Sequence, residues 1–191
     1  PIKVASFGGR RSFIPENSPA LNDEKNLDIY KEYNLEGWES KEQVFDSDAD
    51  IVDHQVAIIE YENGATLAFH TNMKVPDEFR RFAIIGTKGM AEGDFVRGYL
   101  TAHNSYTGEK IFDENFGAAF QQNTKGHYGA DQLMVKDINN YLLDESNHSL
   151  PVGVVDCMEA GLVAMKIDES RVKNQIINLR DMWDKLDSYD L

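Results

Sequence analysis

Several things this sequence lacks narrow its reading before any motif does. It has one cysteine, Cys157, in 191 residues, so no internal disulfide can form. That fits a reducing compartment, and a cytoplasmic protein is expected. No apolar run approaches the roughly 20 residues that a membrane helix needs, and no segment has the pattern of a secretory signal. Basic residues are few: 19 Lys and Arg stand against 33 Asp and Glu, a formal net charge of −14. Binding to nucleic acid needs Lys and Arg gathered against phosphates, and an anionic membrane would repel this chain. Neither is an expected partner. The plain consequence of such acidity is that dissolved copies are kept apart by like charge.

Motifs for several chemistries are missing as well. A dinucleotide fold needs a strand, a G-x-G-x-x-G turn and a helix, so that backbone N–H groups meet the pyrophosphate. Gly8-Gly9 has the wrong spacing, and Gly86-Thr87-Lys88-Gly89 lies between two expected strands, where glycines serve a turn. No cofactor-binding residue and no Walker motif is assigned. Asp46-Ser47-Asp48-Ala49-Asp50-Ile51 opens like a calcium loop. Ile51 stands where the sharp turn needs Gly, and Ala57 where a bidentate Glu is needed, so the loop is rejected. His54, His70, His103, His127 and His148 include no H-E-x-x-H pair, and no metal is expected. Ser170 falls inside an expected helix, away from any strained elbow, and Cys157 reads as packing.

What remains is an ordinary globular composition, 41% apolar, long enough for one good core or two small ones. The chain runs straight from Pro1 into a strand-like stretch, Ile2 to Phe7, which reads as a cut point inside a longer polypeptide. Residues 12–50 form an irregular polar excursion, with Asp23 to Tyr33 as a candidate helix. His54 to Tyr61 and Ala65 to His70 flank Asn63-Gly64, a strong hairpin signal. Phe79 to Ile85, Met90 to Phe95 and Gly98 to His103 continue as strands joined by short turns, with a further turn at Tyr106 to Glu109. The last third is helical in pattern. Asp131 can cap a helix to about Leu143, and a second helix runs from about Val155 to Lys173, with Ala160, Gly161 and Ala164 allowing close packing. Gln175 to Leu179 is a final short strand. Strands first and helices afterwards predict an α+β domain, with helices against one face of a mainly antiparallel sheet.

Few side chains stand out as candidates for chemistry. His54 and His70 flank the hairpin and could approach each other across it; the plainer view is that each is a half-buried, satisfied residue. His127 lies between Gly126 and Gly129, just before a helix N-terminus. Flexible backbone there suits close approach of a ligand, and the helix dipole favours a polar or anionic group. The plainer view is a loop histidine that helps Asp131 cap the helix. Arg10-Arg11 and Arg80-Arg81 are expected to make surface salt bridges, and Arg80 and Arg81 alternate across a strand.

Six stretches, in order, resemble the C-terminal domain of the glucose–fructose oxidoreductase, inositol dehydrogenase and rhizopine-catabolism (Gfo/Idh/MocA) family. They are Ser6-Phe7-Gly8-Gly9-Arg10-Arg11, Val52-Asp53-His54-Gln55-Val56, Glu60-Tyr61-Glu62-Asn63-Gly64-Ala65-Thr66, Arg80 to Gly89, Gly126-His127-Tyr128-Gly129-Ala130-Asp131, and Ala164 to Arg171. The resemblance covers about residues 2 to 179. It implies an open-faced, mainly antiparallel sheet with helices packed on one face, the whole chain being a single substrate-binding and oligomerisation domain. It also implies a longer parent whose own N-terminal Rossmann domain binds NAD or NADP. The parent's substrate would be a sugar, cyclitol or related polyol, and its subunits would pair as a homodimer or tetramer through the sheet face. The catalytic Lys, and the Asp and His of a preceding helix, would lie upstream of Pro1. This chain alone is therefore expected to be inactive and to bind no cofactor. Substrate-binding candidates are His127, Arg11, His54 and Asp131. Tyr128 departs from the family, where many members show a second glycine, and the stretch from Ser12 to Asp50 matches poorly. A non-enzymatic dimeric scaffold and an NAD-dependent glycosidase of the same fold stay open as alternatives.

Overall fold

The computed structural model describes residues 1–18, 45–46, 48–117, 127–143 and 149–189. The expected helix from Asp23 to Tyr33 lies outside the described residues, as does most of the 12–50 excursion. The elements are β1 (Lys3–Gly9), β2 (His54–Glu60), β3 (Thr66–Asn72), β4 (Arg81–Ile85), β5 (Gly89–Asp94), β6 (Tyr99–Asn104), β7 (Lys110–Asn115), α1 (Ala130–Leu142), α2 (Val154–Lys173), β8 (Ile177–Asn178) and α3 (Arg180–Asp187). The fold is α+β with antiparallel strands, as the sequence predicts. The strands form two separate four-stranded ladders, ordered β3-β2-β1-β8 and β4-β5-β6-β7. The chain divides into two compact units, residues 1–75 with 154–191, and residues 76–153.

In the first unit the hairpin forms where Asn63-Gly64 places it. Gly64 takes a φ of +82°, which a side chain resists. Its N–H donates to the Tyr61 carbonyl at 3.0 Å, and Asn63 Oδ1 accepts the Ala65 N–H at 3.0 Å. β2 then pairs with β3 from Glu60↔Thr66 to His54↔Asn72, and with β1 from Lys3↔Glu60 to Gly9↔His54. Strand alternation turns Val4, Ala57 and Ile59 to one face, where they meet Ile167 of α2 and Leu179 in a buried core. Each of the larger side chains contributes on the order of 2 kcal/mol by leaving water. Ser170, inside α2, locks helix to sheet: its Oγ accepts the Ser6 N–H at 3.0 Å and donates to the Gln175 carbonyl at 2.6 Å.

Two details of this unit differ from the sequence reading. Among the described residues nothing packs closely on Gly161: a Cβ built there would meet no atom of theirs within 4 Å. The short helix α3 was not expected, yet its Met182 and Trp183 pack on the core and Leu186 is buried. Eight residues are too few for periodicity to announce a helix.

The second unit is a meander in which β4, β5, β6 and β7 pair in sequence order. β7 is not legible in the sequence, because Lys110-Ile111-Phe112-Asp113-Glu114-Asn115 lacks clean apolar alternation. Its register shifts between Ala102 and His103. Gly93 of β5 lies under the Phe82 ring: an added Cβ would meet the ring at 2.9 Å and the Tyr99 carbonyl at 2.6 Å. α1 follows with no buried residue.

Candidate functional site

Asp53, at the entrance to β2, organises the end of the first sheet. Its side chain is fully buried. One oxygen, Oδ2, accepts the backbone N–H groups of Arg11 at 2.9 Å, Ser12 at 2.6 Å and Phe13 at 3.0 Å. The other, Oδ1, accepts from Arg11 N–H at 3.0 Å and meets His54 Nδ1 at 3.1 Å. Burial pushes the carboxyl group up, but the bonds from Phe13, His54, Ser12 and Arg11 outweigh it and hold the pKa at about 2. The group is therefore an ionised acceptor near neutral pH. Asp53 is not among the residues that sequence pattern marks for a site. The available signal was an acid entering a strand and paired in space with a Gly-Gly-Arg-Arg-Ser turn, but nothing local says that the two meet.

Around this carboxylate sit two of the predicted site residues. The Arg11 main chain is held by it, and the Arg11 residue is exposed. Among the described residues its guanidinium makes no hydrogen bond or ion pair. His54 is 37% exposed at the side chain, and its Nε2 makes no hydrogen bond among the described residues. Gly9 leaves room beside the ring, since a Cβ there would stop 4.0 Å from His54 Cε1. His70 stands opposite Val56 and His54 opposite Asn72, so the two histidines are diagonal across the hairpin and do not face each other. Arg10 reaches back to the main chain of the neighbouring loop. Its guanidinium donates to the carbonyls of Ala49 at 3.0 Å, Phe45 at 3.2 Å and Phe13, and so clasps the loop.

The other two predicted residues meet in the second unit. His127 Nδ1 lies 2.9 Å and 3.1 Å from the two carboxylate oxygens of Asp131. Asp131 was expected to cap α1. The structure corrects this: Gly129 occupies the N-cap position, with no side-chain cap, and Asp131 sits in the first turn holding His127. Its negative charge still suits the helix N-terminus. His127, Tyr128 and Gly129 are all left-handed, at φ of 50°, 59° and 91°. That backbone explains why glycine would suit position 128. Tyr128 OH donates to Glu78 Oε2 at 3.4 Å, and desolvation together with the Glu78 charge pushes the phenol up.

Asp94 repeats the Asp53 device in this unit. Its Oδ1 accepts the N–H groups of Arg80, Val96 and Arg97 at 3.2, 2.9 and 3.1 Å. Its Oδ2 faces Arg81 Nε at 3.6 Å, and Arg80 pairs with Glu78 at 3.7 Å, so Arg80 makes the expected surface salt bridge while Arg81 meets a buried acid.

Among the described residues no group of three His, Cys, Asp or Glu side chains could hold a metal ion. The glycine turns do not fit a dinucleotide either. Gly86 and Gly89 close the turn between two paired strands, with Gly86 N–H on the Gly89 carbonyl at 2.9 Å. Gly8 is packed against β2, where a Cβ would meet the His54 carbonyl at 2.4 Å. The backbone N–H groups of Arg11, Ser12 and Phe13 that follow it are already taken by the Asp53 carboxylate. No helix among the described residues is long and apolar enough to cross a membrane.

No known family profile matches the chain. Over 100 residues it is 29% identical to the Bacillus subtilis (strain 168) protein named "Putative oxidoreductase YteT", an alignment that covers 50% of this chain and 23% of that protein. Among solved structures, it is similar to levoglucosan dehydrogenase in complex with NADH and levoglucosan, with a TM-score of 0.61 and 12% identity. The same enzyme with NADH and L-sorbose gives a TM-score of 0.60 and 13% identity. Both comparisons cover 93% of this chain and 44% of the dehydrogenase chain. The chain thus spans less than half of the dehydrogenase chains and less than a quarter of YteT, and it shares the α+β fold of part of the dehydrogenase.

Proposed function

We propose that this chain is the substrate-binding and assembly domain of an NAD(P)-dependent oxidoreductase acting on a sugar, cyclitol or related polyol. The observation that carries this reading is the fold shared with part of levoglucosan dehydrogenase over nearly the whole chain. The sequence likeness to a protein named as an oxidoreductase supports it. In this reading the nicotinamide cofactor belongs to a Rossmann domain of the same polypeptide, which also supplies the acid–base residues; the present chain alone is inactive. When bound there, the cofactor accepts or returns hydride. The residues of this chain bind and orient the substrate. In the first unit Arg11 offers guanidinium donors and His54 a ring nitrogen; in the second, His127 held by Asp131 is a separate candidate.

The test is turnover by the longest polypeptide that contains this chain, followed by nicotinamide absorbance with a panel of sugars and cyclitols. Polyol-dependent reduction of NAD or NADP is expected, with KM raised about tenfold or more by Arg11→Ala, in line with the loss of a charged hydrogen bond. A polypeptide that neither binds a dinucleotide nor turns over any polyol would overturn the proposal. The exposed apolar side chains of Phe7, Val56 and Ile58 on one face of the first sheet favour, as a second reading, a dimeric scaffold without catalysis, and the same experiment separates the two.

A further inference from the structure

We propose that Asp53 is a positioning residue that holds His54 in the tautomer protonated on Nδ1, and so presents Nε2 as a hydrogen-bond acceptor to a hydroxyl of a neutral polyol. The ligand half of this inference rests on the substrate-domain reading above; the tautomer half does not.

The tautomer follows from what each partner can do. An ionised carboxylate has acceptors and no proton to give, so the 3.1 Å contact with Nδ1 requires the proton to be on that nitrogen. In the neutral ring the lone pair then lies on Nε2. Asp53 cannot swing away from this task, because its oxygens also hold Arg11, Ser12 and Phe13 and the side chain is fully buried. His54 in turn is placed by its register opposite Gly9, whose missing side chain leaves space beside the ring. The same carboxylate anchors the main chain of Arg11, whose guanidinium can only donate. One buried group therefore fixes the base of a donor and the orientation of an acceptor. A hydroxyl both donates and accepts, so paired hydroxyls can satisfy both groups. A carboxylate or phosphate ligand would satisfy Arg11 but meet a lone pair at Nε2.

The experiment is NMR of the purified protein with 15N-labelled histidine, read through two-bond 1H–15N correlations, with His54→Gln identifying the resonances. At a pH where the ring is neutral, Nδ1 is expected to show the protonated-type shift and Nε2 the unprotonated type. In Asp53→Asn the turn N–H groups keep the amide oxygen, the amide NH2 faces His54, and the tautomer should switch to Nε2–H. A wild-type His54 already protonated on Nε2, or a tautomer unmoved in Asp53→Asn, overturns the positioning role. Should Asp53→Asn fail to fold, the wild-type spectrum alone decides. Titration with inositol then reads the ligand half: a shift confined to His54 Nε2 and a roughly tenfold weaker Kd in Asp53→Asn are expected, the loss of about one hydrogen bond. The predicted tautomer with no response at His54 to inositol or to any other neutral polyol on the panel overturns the ligand half and leaves the positioning role standing, while the substrate reading falls only if the longest polypeptide also fails to turn over any polyol.

Discussion

At the scale of single residues, buried aspartates set the turns of both units. Asp53 and Asp94 each accept three backbone N–H groups, which would otherwise lie unpaired beside a sheet end. Both carboxyl groups are held below their ordinary values against the cost of burial. For Asp53 the consequence for stability has a definite sign. Its folded pKa of about 2 lies below the unfolded value of 3.8, so its contribution is present in full above pH 4 and is lost as pH falls towards 2. The shift corresponds to about 2 kcal/mol. Urea midpoints measured across that window should fall for the wild type and stay flatter for Asp53→Asn. Asp53→Ala, which abandons the turn N–H groups, should cost about 3 kcal/mol at neutral pH, read as a lower urea midpoint. At this scale the sequence showed Arg11, His54, His127 and Asp131 as candidates. It did not show Asp53, because its partners are about 40 residues away along the chain.

At the scale of elements, the glycines separate close contact from mere freedom. Gly93 is crowded by Phe82 and the Tyr99 carbonyl, whereas Gly161 in α2 has open space around it. Gly93→Ala should therefore destabilise by about 2 kcal/mol through overpacking of β4 on β5. Gly161→Ala should stabilise by up to about 1 kcal/mol, because alanine restricts the unfolded chain and favours the helix. Thermal unfolding of the two variants beside the wild type reads both effects, and a stabilising Gly93→Ala would contradict the packing described for that sheet. The strands β1 to β6 and the helices α1 and α2 were visible in the sequence through alternation, helical period and turn residues. β7 and α3 were not: one lacks alternation, and the other is too short for its period to register before Met182 and Trp183 reach the core.

At the scale of the whole molecule, the first sheet has two unlike faces. Val4, Ala57 and Ile59 are buried under α2, while Phe7, Val56 and Ile58 on the opposite face are 67%, 50% and 56% exposed. Phe7 pairs directly with Val56, and Ile58 lies between Ala5 and Ala68, so these side chains form one continuous apolar strip. Within the proposed function this strip is the assembly surface, covered by another subunit. Sedimentation of the wild type should show a dimer or tetramer. Val56→Lys with Ile58→Lys should weaken association at least tenfold while leaving the α2 core intact. A wild type that stays monomeric at high concentration would remove the assembly role.

The sequence by itself determined the local and the compositional properties. Asn63-Gly64 dictated a hairpin because glycine alone accepts that backbone cheaply, the alternating stretches dictated strands, and the excess of Asp and Glu over Lys and Arg set a strongly negative net charge. It also excluded a glycine turn of the dinucleotide type, which depends only on spacing. Tertiary structure decided the rest: the division of strands into two ladders, the capture of His127 by Asp131 in place of a helix cap, and the joining of Arg11 to His54 through Asp53. Those features depend on which polar groups lose water together, and burial of that kind is a property of segments distant in sequence that no local pattern encodes.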